Sequence, residues 1–232
     1  LQILKFILKN NRLTAVPKYL FLGLLFQIFK RLTNSIASKQ IFNGKKLLLF
    51  PDCNVSSSFT YTDIPDKKEI MILRELASDG DVVFFDIGAN IGSYSVCLTD
   101  LCHEVVAFEP HPLTAGRCKM NFILNNMPVE NVKQLAISSE TGTTHFSDYG
   151  GSSTINHIVN DDQGIAVKTS TLDDFVKQYN YQKTRKYLLK IDVEGHEKEV
   201  LLGAEDFLAN YDVVGVIFEC FSRKDVIEFL SE

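Results

Sequence analysis

The sequence predicts an α/β fold built on a mostly parallel, doubly wound sheet. Three observations predict it. From Asp81 onward, short apolar runs alternate with helical segments, the pattern of a parallel sheet covered on both faces. The runs are continuously apolar, as expected of strands buried on both sides. The first of them, Val82-Val83-Phe84-Phe85-Asp86-Ile87, passes into a glycine turn, Gly88-Ala89-Asn90-Ile91-Gly92, that opens a helix.

Residues 1–60 precede this alternation and read as a basic, apolar N-terminal extension to a domain over 61–232. Tyr19–Phe29 is an apolar run of 11 residues closed by Lys18, Lys30 and Arg31. As a helix the run reaches about 16 Å, short of the roughly 20 residues that a membrane span needs. Two readings stay open: a helix capping the domain, or a segment in a membrane interface engaging lipid through residues 1–36. Asn43-Gly44 signals a hairpin turn before a strand at Lys45–Phe50, and Ser56, Ser57 and Ser58 read as a loop. Asp66 reads as the N-cap of a helix over Lys67–Ser78, with Glu69 completing a capping-box pattern and Asp79-Gly80 ending it.

The α/β alternation then runs in order. Asp81–Ile87 is a strand and Ile91–Leu101 a helix. Glu104–Phe108 is the second strand, Pro112–Asn125 a helix, and Asn131–Ile137 the third strand. Thr143–Phe146 and Ile165–Thr169 are short strands around a Gly/Ser loop. Thr171 caps a helix ending near Tyr179, and Tyr187–Val193 and Asp212–Phe218 are two more buried strands. Arg223–Leu230 reads as a helix.

Composition narrows the function classes. The 232 residues include 17 Phe and 8 Tyr and are 45% hydrophobic, which excludes a wholly disordered chain. Net charge is −5, unevenly spread: residues 1–60 hold nine basic residues and one acid, +8, leaving −13 for the rest. An acidic body argues against nucleic acid as a partner, whereas a basic apolar terminus suits an anionic surface. Five cysteines without a C-x-x-C pair read as free thiols of a reducing compartment, and no zinc-ligand spacing is visible.

Chemistry concentrates at three strand ends. Gly88 frees the backbone to turn beside a ligand, and the helix opened at Gly92 offers N–H groups to an anion. A dinucleotide fingerprint would carry glycine where Asn90 stands, so a nicotinamide cofactor is disfavoured. Glu109, at the end of the next strand, is placed to accept hydrogen bonds from ribose hydroxyls. The third cluster, Lys190-Ile191-Asp192-Val193-Glu194-Gly195-His196-Glu197, crowds ionisable groups at the same edge, with Glu219 after the following strand. Asp192 is the first candidate for a base or acceptor-positioning group and His196 the second. Glu194 and Glu197 orient, and Lys190 keeps the carboxylates ionised. A divalent cation on Asp192, Glu194 and Glu219 is a minority reading, and no metal is expected.

Together these motifs resemble the FkbM family of methyltransferases. The resemblance covers about Val82 to Cys220 through FDIGANIGSYS, VVAFEPHP, the NF-x-LN of Asn121–Asn125, the AIS of Ala136–Ser138, TLDDF, LKIDVEGHEKEVLLGAE and VIFEC. It implies a class I, Rossmann-like fold and S-adenosyl-L-methionine as methyl donor. The implied acceptor is a hydroxyl of a sugar, glycan or polyketide-type metabolite. By the same resemblance Asp86, Gly88, Ala89, Asn90 and Gly92 hold the methionine part, Glu109 the ribose, and Ala136, Ile137 and Ser138 border the adenine. The family fold closes with two more strands after Arg223–Leu230, so a truncated C-terminus is expected. The expected setting is the cytoplasm or its membrane periphery. The alternatives are a nicotinamide-dependent or nucleotide-sugar oxidoreductase, and a non-catalytic membrane-associated scaffold.

Overall fold

A computed structural model describes residues 2–147, 158–159 and 164–218. The elements are α1 (Gln2–Asn10), α2 (Val16–Thr33), β1 (Ala37–Gln40), β2 (Lys46–Leu49), α3 (Asn54–Tyr61), α4 (Lys67–Leu76), β3 (Val82–Ile87), α5 (Ser93–Leu98), β4 (Glu104–Phe108) and α6 (Pro112–Leu124). There follow β5 (Val132–Lys133), β6 (Ala136–Ile137), β7 (Gly142–Phe146), β8 (Ile158–Val159), β9 (Ile165–Ser170), α7 (Leu172–Gln178), β10 (Lys186–Ile191), α8 (Glu197–Leu202), α9 (Glu205–Asn210) and β11 (Asp212–Phe218).

The main sheet is five-stranded and parallel, in the order β11-β10-β3-β4-β5. The chain leaves β3 for β4 on one side and later returns to place β10 on the other. The strand order therefore reverses at β3, the position where open α/β sheets bind ligands. This is a Rossmann-like arrangement. The pleat sends alternate residues to opposite faces. Val82, Phe84, Val105, Ala107 and Leu188 pack with α4, α5 and α6. Val83, Phe85, Ile87, Val106, Phe108 and Leu189 pack with α7, α8 and α9. Both strand faces are covered, which is why the runs carry no polar alternation.

Local sequence explains several joins. Asn43 and Gly44 both adopt positive φ, as a tight hairpin between β1 and β2 requires. Asn121 and Asn125, one turn apart on α6, grip β2: Asn121 accepts from the Leu48 N–H at 2.7 Å, and Asn125 accepts from the Lys46 N–H at 2.9 Å. The paired asparagines are thus a structural clamp. Thr171 caps α7 by accepting from the Asp174 N–H at 2.9 Å. The next residue but one, Asp173, accepts from Phe207 and Asp206 N–H at 2.7 and 3.1 Å, fastening α9.

The structure departs from the sequence reading at five places. Ser56–Ser58 lie in α3: Ser57, Ser58 and Thr60 return their hydroxyls to carbonyls three or four residues back, while Phe59 reaches the core. Asp66 precedes α4 in a left-handed conformation and makes no capping bond, so no capping box forms. The helix after the glycine turn spans only Ser93–Leu98. The expected strand at Asn131–Ile137 breaks in two: β5 edges the main sheet, and β6 joins a second sheet, β6-β9-β7-β8. The helix around Tyr19–Phe29 extends to 18 residues, because Pro17 starts it and Asn34 ends it in a left-handed conformation. Counted from Leu13, this segment of 21 residues is long and apolar enough to cross a membrane by length and composition.

The N-terminal 60 residues pack onto the domain. Phe26 of α2, Leu47, Leu49, Phe50 and Phe59 belong to the same core as Val82 and Phe84, and α1 and α2 also lean on α3 through Ile7, Tyr19 and Tyr61. Among the described residues Cys53, Cys97, Cys102 and Cys118 are free thiols. Glu219, Cys220, Gly150–Thr154 and the expected helix at Arg223–Leu230 lie outside the described residues.

Candidate active site

A cavity open to solvent lies beyond the carboxyl ends of β3, β4 and β10. Parallel strands bring Gly88, Glu109 and Asp192 together across 104 residues of sequence, because each follows its strand end in register.

The first wall is the turn after β3. Gly88 has φ +76°, and a Cβ there would lie 1.9 Å from the Asp192 carbonyl oxygen. Two strand-end loops touch at that point, and only glycine allows it. A Gly88→Ala variant should therefore lose ligand binding by at least about tenfold. Gly116→Ala, on α6 away from the cavity, with an ordinary φ and no neighbour within 4 Å, should retain binding within about threefold. Calorimetry on both variants checks the contrast. Asn90 also sits at positive φ, which asparagine tolerates, and its side chain accepts from the Ile91 N–H at 2.9 Å.

Glu109 forms the second wall. Its two oxygens accept from the Asn90 N–H at 2.9 Å and the His111 N–H at 3.0 Å. Burial pushes its pKa up to about 7, against the pull of those two N–H groups. The apolar part of the cavity lining is Leu135, Ala136, Ile137, Phe146 and Ile158.

The third wall follows β10. Lys190, 6% exposed, is paired in register with Asp86. Its ammonium lies 3.1 Å from Asp192 Oδ2 and 3.6 Å from Asp86 Oδ1, and it donates to the Gly88 carbonyl at 3.0 Å. Burial lowers the Lys190 pKa, but Asp192 and Asp86 more than offset it, so the net shift is upward. Across the cavity mouth Asp66 carries a raised pKa from burial, with Glu69 and Asp192 adding to it. His196 meets Ser138 Oγ through Nε2 at 2.9 Å, and burial lowers its pKa.

Of the residues expected at the site, Gly88, Ala89, Asn90, Glu109, Ala136, Ile137, Asp192, Glu194 and His196 line the cavity. Four do not. Asp86 is 0% exposed; it accepts from the Ser95 N–H and hydroxyl at 3.0 and 2.7 Å and supports the floor from below. Gly92 is set against Cys118 Sγ, where a Cβ would approach to 2.7 Å. Ser138 reaches the site only through its hydrogen bond to His196. Glu197 is buried, and its carboxylate accepts from the Gly195 N–H at 3.0 Å, fixing the turn that carries Glu194. Sequence reasoning missed Asp66, Tyr94 and Val55 as wall residues. Asp66 was legible only as a cap, and no local pattern marks a residue that reaches a site from the preceding helix. Among the described residues no group of three His, Cys, Asp or Glu side chains could hold a metal ion.

The chain matches the methyltransferase FkbM domain over residues 86–231. It is 29% identical to the hexuronic acid methyltransferase AglP of Haloferax volcanii over 77% of this chain and 74% of that protein. It is 28% identical to methyltransferase 1 of Beauveria bassiana, over 62% of this chain and 67% of the relative. Methyltransferase sdnD of Sordaria araneosa is 27% identical, over 72% and 76% of the two chains. No solved structure matches at a significant level. A methyltransferase match over most of the chain displaces the oxidoreductase alternative that Asn90 already disfavoured. With the parallel sheet and its strand-end cavity, it makes this chain a methyltransferase of the FkbM family.

Proposed function

We propose that the protein transfers a methyl group from S-adenosylmethionine to a hydroxyl of a sugar or glycan. The observation that carries this reading is Glu109. It is a buried carboxylate held by two backbone N–H groups, in a cavity with an apolar part to its lining. A vicinal diol donates to such a carboxylate, and a purine suits the apolar side formed by Leu135, Ala136, Ile137, Phe146 and Ile158. The surrounding acids Asp66, Asp192 and Glu194 suit a ligand that carries an ammonium and a sulfonium. The residues present therefore fit the cofactor. The turn Gly88–Asn90 would receive its methionine part, with Asp86 supporting that turn from beneath.

When bound, the cofactor supplies an electrophilic methyl group on a good leaving group. The chain must hold the acceptor oxygen in line and relieve it of a proton. Asp192 lines the cavity with one oxygen engaged by Lys190 and the other available to accept from the acceptor hydroxyl. His196 is the base in this reading: its lowered pKa keeps the imidazole neutral near pH 7, and Ser138 orients the ring. The acceptor class draws on the similarity to the hexuronic acid methyltransferase of Haloferax volcanii, whose acceptor is a sugar acid.

Two measurements test the proposal. Calorimetry with S-adenosylhomocysteine and, separately, NAD⁺ should give micromolar-range binding of the first alone; binding of NAD⁺ alone would overturn it. Labelled methyl transfer should then favour uronic-acid oligosaccharides over neutral ones. In that assay His196→Gln should lower kcat by about a hundredfold or more. At saturating cofactor, wild-type kcat should fall only as pH drops through the lowered His196 pKa, and the variant should lack that limb.

A further inference from the structure

We propose that the outward face of α2 docks the protein onto an anionic membrane, the helix lying in the plane of the interface. Tyr19, Gly23 and Phe26, spaced four and three residues apart, form one buried stripe on the body of the domain. Gly23 meets the Tyr61 ring so closely that a Cβ would lie 2.7 Å from it, and Gln27 donates to the Tyr61 hydroxyl at 2.5 Å. A helix attached along this stripe cannot cross a bilayer without dragging its domain into the lipid.

The opposite face ought to be polar if it met only water. Instead it presents Phe21, Leu24, Leu25, Ile28 and Leu32, exposed by 61, 59, 46, 46 and 80%. A contiguous apolar patch of this kind marks an interaction surface. Charge selects the occupant. Residues 1–36 hold six basic residues and no acid, with Lys18 and Arg31 next in helical order to the patch and Lys30 over the Phe26 ring. A second copy would bring the same six cations against them, whereas an anionic headgroup layer attracts all of them. This docking does not depend on methyl transfer. As a corollary that does rest on that reading, docking would favour acceptors held at the bilayer, since α3 carries Val55 on the cavity wall beneath α2.

Co-sedimentation with vesicles of phosphatidylcholine, with and without phosphatidylglycerol, tests this without any activity readout. Binding to the anionic vesicles should exceed binding to neutral ones by roughly tenfold or more and fall at high salt. A Phe21→Glu, Leu24→Glu, Ile28→Glu variant should lose it by about tenfold or more with an unchanged melting temperature. A Lys18→Gln, Lys30→Gln, Arg31→Gln variant should lose only the anionic preference. Absence of binding, or equal binding to both vesicles, overturns the proposal. So does insertion that resists alkaline carbonate extraction, which would mean a span. A dimer that the glutamate variant dissociates, without vesicle binding, would assign the patch to a second copy.

Discussion

Replacing Lys190 by Met should destabilise the protein by about 3–5 kcal/mol, the cost of leaving a buried charge without its partner. Asp86 is fully buried, and its Oδ1 has no hydrogen-bond partner among the described residues; the Lys190 ammonium at 3.6 Å is its counter-charge. The same ammonium binds Asp192 and the Gly88 carbonyl, so its loss frees two loops of the cavity together. For a chain of this size that corresponds to a fall in melting temperature of about 6 °C or more. A double variant, Lys190→Met with Asp86→Asn, should recover a large part of the loss, because it removes the stranded charge along with its partner. Thermal melts of the single and double variants decide it. A single variant melting within about 2 °C of wild type would show that solvent, not Lys190, neutralises Asp86. The raised Lys190 pKa fixes the pH sign: its contribution holds through neutral pH and disappears as pH climbs past that raised value.

Glu109 should make cofactor binding depend on pH around neutrality. Its pKa in the unliganded protein is pushed up to about 7 by burial. Hydroxyl donors favour the ionised carboxylate, so binding lowers that pKa and releases protons. Affinity for S-adenosylhomocysteine should therefore weaken as pH falls below about 7. Calorimetry in two buffers of different ionisation enthalpy should detect the proton release. Glu109→Gln should abolish it and weaken binding by about tenfold or more. Stability runs the other way. A carboxyl whose folded pKa exceeds its unfolded value of 4.5 contributes fully below 4.5, and that contribution is lost as pH rises through about 7. The total is on the order of 3 kcal/mol. The unliganded wild type should accordingly melt lower at pH 8 than at pH 5 relative to Glu109→Gln, whose own slope lacks this component. An identical pH slope in both proteins would remove Glu109 from the account.

The clusters around Asp86–Gly92, Glu109 and Asp192–Glu197 were legible because a continuous apolar run ending in a polar residue or glycine marks a buried strand and its open end. Their convergence followed from parallel topology alone. Roles within each cluster were not legible. Asp86 reads like a ligand-binding acid, yet pleat parity turns it inward beside Ser95 and Lys190. Glu197 reads as an orienting acid, and its carboxylate accepts from the Gly195 N–H of its own turn.

By itself the sequence determined the main-sheet strands β3, β4, β10 and β11, the helices α6 and α7, the glycine-dependent turn at Gly88, the cap at Thr171, the family, and the charge contrast between the basic terminus and the acidic body. These are local properties: periodicity, turn chemistry and residue type act within a few residues of chain. Tertiary structure alone decided that Ser56–Ser58 are helical, that the third strand splits between two sheets, and that Asp66 faces the cavity without capping α4. It also decided that the two faces of α2 have different fates, one packed against Tyr61 and the other exposed. Each of these turns on a partner distant in sequence, and the free energy of burial against that partner outweighs the roughly 1 kcal/mol by which a cap or a local propensity can vote.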